Sequence, residues 1–446
     1  MKVGRLLRGA LVTLVASASA CTSSPGTPGD ASGSVEIFSW WTSGGEADAL
    51  QAIIDLHEER TPDSTVVNAA VEFADKAREQ LQQRMEAGAP PDLFQANIGA
   101  DLFKWVLLNG SDDADARVED LTELAEESGW LDAFDPDVLD AASFDGKLYG
   151  LPIDVHRINS LFYRKDLFEA YDLTPPTTIE GLLELCESIQ SDPDLQAESP
   201  TGTMACLGLG NKWNWPLSMV TFEMIFPAVA GAEYYESFWL GEKSADDPRV
   251  AEALDIALQL FCGGTDTTDC ERSTYFNQDS GEVDWDTGVA TLIDKSAMMA
   301  PMGDWSKGYL EAEGLEPNVD FGVVPFPGSS GTCVITADTF GLPIGAPNRE
   351  GAIALLKTMA SVEGQIAFNR LKGSVTPRTD IAATEFDAMT QSVMDDFAED
   401  TNVKALSGLL PGDVMSDLAS ELRASFEAGS TDIIKTYIEA NYDSIP

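Results

Sequence analysis

The sequence predicts an α/β protein folded as two lobes with a cleft between them. Two observations carry the prediction. Strand and helix patterns alternate from Ser34 onward with short connections, and a second such series starts after a hairpin signal at Asp145-Gly146. Ser34-Val-Glu-Ile-Phe-Ser39 alternates and is rich in strand formers. The helical stretch after it sets Leu50, Ile53, Ile54 and His57 at helical spacing. A strand over residues 64–71, a helix over about 75–87 and a short strand at Asp92-Leu-Phe-Gln95 follow, the last after Pro90-Pro91. This strand–helix–strand series suggests a parallel sheet wrapped by helices.

In the second region a helix from Ile179 carries Leu182, Leu183, Cys186 and Ile189 on one face, with the Pro-Pro-Thr-Thr of residues 175–178 as its entry and cap. Residues 341–348 precede a helix with Ile353, Leu356, Met359 and Val362, and from about Asp387 the pattern is helical to the end. The sequence shows no internal repeat and no membrane span. Two α/β lobes in one chain put a cleft between them, where ligands tend to bind.

With 446 residues and 44% hydrophobic content, the chain can bury a large core. Its charge is the unusual feature: 27 Lys and Arg stand against 75 Asp and Glu, a formal net of −48. Phosphate recognition needs clustered cations, and none occur outside the first eight residues, so nucleic acid is excluded as a partner. Wide contact with anionic lipid is excluded on the same ground. The acids are scattered, which reads as a highly solvated surface suited to a salty or exterior setting.

Lys2, Arg5 and Arg8 precede a short stretch of apolar and small residues, so residues 1–20 read as a secretory signal too short to span a bilayer. Ala18-Ser19-Ala20-Cys21 is similar to a lipidation site at Cys21, although Ala18 stands where leucine is usual; plain cleavage after Ala20 is the alternative. The rest of residues 21–34 is nearly all Ser, Thr, Gly, Pro and Asp, a flexible tether for a lipid-anchored domain. An exported location follows, in the periplasm or on the outer face of the cytoplasmic membrane. In that oxidising setting disulfides are expected. Cys262 with Cys270, flanking a Gly/Thr/Asp loop, is the preferred pair and Cys186 with Cys206 the second, which leaves Cys333 over.

Catalytic chemistry has few parts available. With His57 and His156 as the only histidines, a histidine-built metal site or triad is hard to assemble. His57-Glu58-Glu59-Arg60 lacks the second histidine of a zinc-protease helix and reads as exposed helix surface. Gly208-Leu209-Gly210 has no third glycine at the spacing a dinucleotide needs. Asp284-Trp285-Asp286-Thr287-Gly288 looks like a fragment of a calcium or sugar-nucleotide loop, but the rest is missing and helix capping is the expected role. Among so many acids a carboxylate pair for glycoside hydrolysis could always be found, so finding one carries little information. Trp40-Trp41 says more. Adjacent residues on a strand point opposite ways, so a core needs at most one of them. The other would emerge at the strand's C-terminal edge, where α/β folds bind ligands. There an indole could stack on a sugar ring while Glu46 accepts hydroxyl hydrogen bonds; core packing is the competing reading.

Several segments also carry a family resemblance. These are Phe38-Ser-Trp-Trp-Thr-Ser-Gly-Gly-Glu46, Pro90-Pro-Asp-Leu-Phe-Gln95, Gly150-Leu-Pro-Ile-Asp-Val-His-Arg-Ile-Asn159, Met302-Gly-Asp-Trp-Ser-Lys-Gly-Tyr309, Ala337-Asp-Thr-Phe-Gly-Leu-Pro343 and Leu371-Lys-Gly-Ser374. In that order and spacing they resemble the extracellular solute-binding family that serves carbohydrate ABC importers, nearest its glucose-type monosaccharide-binding proteins. The likeness covers nearly the whole chain from Val35. It implies a type II periplasmic-binding-protein fold with discontinuous lobes, residues 35–154 plus 331–365 and residues 155–330 plus 366–446, joined by hinge crossovers. It further implies closure on a small sugar and docking on the permease subunits as a monomer, with no enzymatic chemistry, cofactor or metal.

By matching position, the resemblance implies sugar contacts at Trp40, Trp41, Glu46, Asp304 and Lys372, a stacking aromatic at Trp239, and His156 just beyond a crossover facing the cleft. A carboxylate and an ammonium suit vicinal hydroxyls through charge-assisted hydrogen bonds. Two departures stand out. Asn97 occupies a position where the family carries a cation or imidazole, and a histidine expected near Leu406-Ser407-Gly408 is absent. They leave a monosaccharide as the expected ligand, with glucose itself open. A disaccharide or other polyol, a secreted glycosidase, and a sensing role on the same fold are the alternatives.

Overall fold

The alternating first strand becomes the centre of a sheet. The computed structural model describes residues 32–106, 117–264, 270 and 275–442, so the leader, Cys21 and the linker through residue 31 fall outside the described residues. Strand Gly33–Phe38 buries Val35 and Ile37 completely and pairs in parallel with Ser64–Asn68 on one side and Leu93–Asn97 on the other. Asp338–Gly341 and Leu151–Pro152 extend the sheet as antiparallel strands, so the expected parallel sheet is mixed on that side. A second sheet, in the order Phe321–Pro325, Ser160–Arg164, Ala297–Pro301, Ala205–Leu207, forms the other lobe. Asp145 and Gly146 take positive φ of 51° and 75° between the paired strands Ser143–Phe144 and Lys147–Leu148, as a tight hairpin turn requires.

Helix Gly44–Arg60 buries Leu50, Ile53, Ile54 and also His57. The expected exposure of His57 is therefore wrong. The ring sits between two hydroxyls, Nδ1 3.0 Å from Thr358 Oγ1 and Nε2 3.1 Å from Ser64 Oγ, so a neutral imidazole is fully paired without solvent. Helix Ile179–Ser191 follows its pattern: Thr178 caps it by accepting from the Gly181 N–H, and Leu182, Cys186 and Ile189 are buried. Local helical pattern fails near the end of the chain, where strand Thr401–Lys404 interrupts the expected helical run. There, ladder hydrogen bonds to Thr332–Thr336 override the pattern.

Two hydrophobic cores define the lobes of this type II fold. Phe368 and Val375 lie in the first core, so the chain stays in the first lobe past residue 365 and the expected boundary falls too early. Helix Val362–Lys372 packs along helix Gly44–Arg60, which explains the shift. Between the lobes runs a three-stranded sheet of Thr401–Lys404, Thr332–Thr336 and His156–Arg157. Strand alternation divides its middle strand: Cys333 and Ile335 point into the first core, Val334 into the second. Each lobe thus grips the same strand from opposite faces.

Cys186 pairs with Cys206 and Cys262 with Cys270, while Cys333 is free and buried. The first pair ties helix Ile179–Ser191 to strand Ala205–Leu207 across a separation of 20 residues. Among the described residues, no helix is long and apolar enough to cross a membrane. Replacing both Cys186 and Cys206 by Ala should lower stability by about 3 kcal/mol, from the loop-closure entropy restored to the unfolded chain. Urea unfolding of the double variant measures this, and an unchanged midpoint would argue against the cross-link.

Candidate ligand-binding site

The chain delivers polar residues where it crosses between lobes. Asp154 and His156 flank the first crossing, Asp338 follows the second, and Asp304 comes just after strand Ala297–Pro301. Lys372 ends helix Val362–Lys372, and Glu46 sits in the first turn of helix Gly44–Arg60. All six meet in one cluster. Lys372 Nζ donates to Glu46 Oε1 at 2.5 Å and lies 5.3 Å from the centre of the Trp41 ring. His156 Nδ1 is hydrogen-bonded to Asp304 Oδ1, and its Nε2 lies 3.2 Å from Asp154 Oδ2 and 3.9 Å from Asp338 Oδ2. The second Asp304 oxygen accepts from the Arg157 backbone N–H at 2.9 Å, which fixes the carboxylate to the crossing strand.

Charge in this cluster is set by burial working against neighbours. Burial alone would neutralise His156, but Asp154 and Asp304 outweigh it and raise its pKa to about 10. For Lys372, burial is likewise overcome, here by Glu46, Asp338 and Asp154, and the pKa is raised. Burial and the Asp154 carboxylate together push Asp338 up to about 7. Asp154 goes the other way: burial raises it, but His156 and Lys372 win and its pKa is lowered.

Trp41 is fully buried against Phe340 and Phe368, with ring centroids 5.8 and 5.3 Å away, while Trp40 is half-buried. The doublet divides, one ring in the core and one at the edge, although both residues lie just past the end of strand Gly33–Phe38 rather than on it. Arg78 lies 5.0 Å over the Trp40 ring and donates to Asn97 Oδ1 at 3.0 Å. Asn97 Nδ2 donates in turn to Asp338 Oδ1, which also accepts from Gln95 Nε2. A guanidinium from helix Ala74–Glu86 thus stands beside Asn97, where the chain itself carries a neutral amide. Ser407 is placed by a 3.4 Å contact with Thr336 Oγ1.

Trp239 is not brought to this cluster. It is buried in the second-lobe core among Phe222, Phe226 and Phe238, so its expected role as a stacking residue is corrected: its helix turns the indole inward. Other aromatics take the second-lobe face. Trp305 meets the His156 ring edge-on at 5.4 Å, and Trp215 and Trp285 each lie 6.5 Å from Trp305. Tyr309 lies 5.7 Å from Trp285 and 3.5 Å from where a Cβ on Gly44 would stand, so this half-buried group faces the first lobe. The tryptophan spacing in Asn211-Lys-Trp-Asn-Trp215 was a usable signal for it. Asp284 also departs from expectation. It precedes helix Trp285–Ala290 without capping it, and its carboxylate accepts from the Trp213 indole N–H at 2.6 Å.

Among the described residues Trp41 Nε1 is buried without a hydrogen-bond partner, while Asp154 Oδ2 and His156 Nε2 face each other as an ion pair at 3.2 Å. Unpaired buried groups cost about 1–3 kcal/mol each. Trp239 Nε1 is unpaired as well, deep in the second core. Asp154, His156 and Asp338 bring one possible ligand atom each within 4.8 Å of one another. An imidazole protonated at both nitrogens offers no lone pair to a cation, and Lys372 adds positive charge, so the set suits hydroxyl groups better than a metal.

Residues 43–366 match the family model of bacterial extracellular solute-binding proteins. An uncharacterised ABC transporter extracellular-binding protein of Pyrococcus horikoshii is 30% identical, covering 96% of this chain and 94% of its own. Two solved structures share the fold with a TM-score of 0.76. A chitin oligosaccharide binding protein is 19% identical over 93% of this chain and 99% of its own. The bacterial solute receptor AcbH, described as exclusively preferring β-D-galactopyranose, is 16% identical over 92% and 98%.

The two histidines should titrate on opposite sides of neutrality. Burial lowers His57 below its ordinary 6.5, whereas His156 is raised to about 10. A raised folded pKa stabilises fully below the unfolded value near 6.5 and loses that contribution as pH climbs to about 10. Imidazole NMR should show His57 neutral and His156 charged at pH 8; two ordinary titrations near 6.5 would refute the buried cluster.

Proposed function

We propose that this chain, which belongs to the bacterial extracellular solute-binding protein family, is the exported sugar-capturing subunit of an ABC importer and binds a monosaccharide between its lobes. The buried set of His156 and Lys372 with Glu46, Asp154, Asp304 and Asp338 carries the reading, because it puts charged donors and acceptors beside the Trp305 ring. Sugar hydroxyls supply both donors and acceptors, while the C–H face of the ring suits an indole such as Trp40 or Trp305. Glu46, Asp304 and Lys372 would set orientation through charge-assisted hydrogen bonds. The sugar-binding descriptions of AcbH and the chitin oligosaccharide binding protein support carbohydrate as the ligand class. Delivery to a membrane permease pair accords with the ABC-transporter description of the Pyrococcus relative. Lipidation at Cys21, lying outside the described residues, would tether the domain to the membrane.

A thermal-shift screen against monosaccharides and disaccharides tests the ligand class, since a ligand that binds only the folded state must raise the melting temperature. A shift with a monosaccharide is expected. Shifts confined to larger sugars would change the ligand and keep the family; none at all would remove carbohydrate. For the site, Asp304→Asn keeps the shape but removes the charge, and should weaken sugar binding tenfold or more, about 1.4 kcal/mol. Unchanged affinity in calorimetry would sink the assignment.

A further inference from the structure

Among the described residues, three of the meetings between the lobes bear on the site. A Cβ on Gly45 would lie 2.8 Å from the Gly308 carbonyl carbon, and one on Gly99 would lie 2.4 Å from the Gly408 oxygen. These are backbone-to-backbone contacts, next in sequence to Glu46 and close to Asn97. The third meeting is made by side chains: Phe73 of the first lobe and Trp213 of the second, ring centroids 4.8 Å apart.

This pair is built rather than incidental. Phe73 holds a positive φ of 73° immediately before helix Ala74–Glu86, a conformation disfavoured for any residue with a Cβ. Trp213, 36% exposed, is held from behind by the bond from its indole N–H to Asp284. A lysine from each lobe flanks the rings. Lys76 Nζ lies 4.7 and 4.9 Å from the two centroids and Lys212 Nζ 5.7 and 5.2 Å, all within cation–π range. Both walls lead inward from here. Further along the helix that follows Phe73, Arg78 reaches Trp40 and Asn97; beside Asp284, Trp285 reaches Trp305.

We infer that Phe73 and Trp213 determine ligand length, their packed, tilted rings closing the mouth of the cleft over one sugar ring and excluding a ligand that continues outward. The inference rests on the sugar-binding reading above. A second ring emerging at the mouth would have to part the aromatic pair and leave both lysines without their ring contacts, so longer sugars lose affinity relative to the single ring they contain.

Calorimetry on the wild type, Trp213→Ala and the Phe73→Ala/Trp213→Ala double variant tests this with glucose, galactose and xylose against maltose, lactose and xylobiose. The wild type should bind one monosaccharide at least tenfold more tightly than its disaccharide. The double variant should narrow that ratio tenfold or more, with the single variant between. Circular dichroism confirms folding, and the partly exposed Trp213→Ala variant decides alone if the double variant misfolds. A ratio unchanged by the substitutions overturns the length role and leaves the sugar site standing, as does a wild type that binds both sugars equally. No binding of any sugar by the wild type overturns the length role together with the reading beneath it.

Discussion

Everything in the cleft follows from one constraint, a buried cluster with more carboxylates than cations. His156 and Lys372 face Glu46, Asp154, Asp304 and Asp338, all within a region that excludes most water. Such a group survives only if each charge has a partner or gives up its charge. The cations hold their protons more firmly than usual, His156 up to about 10, and Asp338 is driven toward its protonated form. Amides from Gln95 and Asn97 and the N–H groups of Arg157 and Asp338 take up oxygens that no cation reaches. The cluster is thus nearly self-satisfied, with the Trp41 indole N–H left without a partner among the described residues.

The cluster can exist there because the crossing strands bring both lobes to it. A strand whose alternate residues enter different cores is a joint that neither lobe can release. His156 and Arg157 lie on the neighbouring strand, and Arg157 extends from the Asp304 contact to Asp396 at 2.5 Å. Rotation of one lobe on the other is therefore felt first at the residues of the charged cluster. Hinge and site are one structure, which is what closure by hinge motion needs.

Much of this was legible in the sequence, and the failures have physical causes. The strand and helix patterns of the first lobe, the Asp145-Gly146 turn and the Thr178 cap were readable because each is a local effect. The charged cluster was legible only through resemblance, since Glu46 and Lys372 stand 326 residues apart and no spacing rule joins them. His57 was misread because burial brings it the Thr358 hydroxyl, 301 residues away, beside that of nearby Ser64. Trp239 failed for a related reason, as an aromatic at a plausible position says nothing of the face its helix presents. The Thr401–Lys404 strand and the late first-lobe boundary are decided by tertiary pairing, which overrides local preference.

The meetings between the lobes differ in what they contribute to closing. Where Gly45 meets Gly308 and Gly99 meets Gly408, no side chain fits between the backbones. Contacts so small bury little apolar area and attract weakly, so they set how far the lobes close rather than how firmly. The attraction must come from larger surfaces: the aromatic group around Trp305 and the Phe73–Trp213 pair. Glycine stops and aromatic grips are independent in sequence. Closure can therefore keep its geometry fixed by backbone contact while the ligand that triggers it changes with the side chains at the mouth.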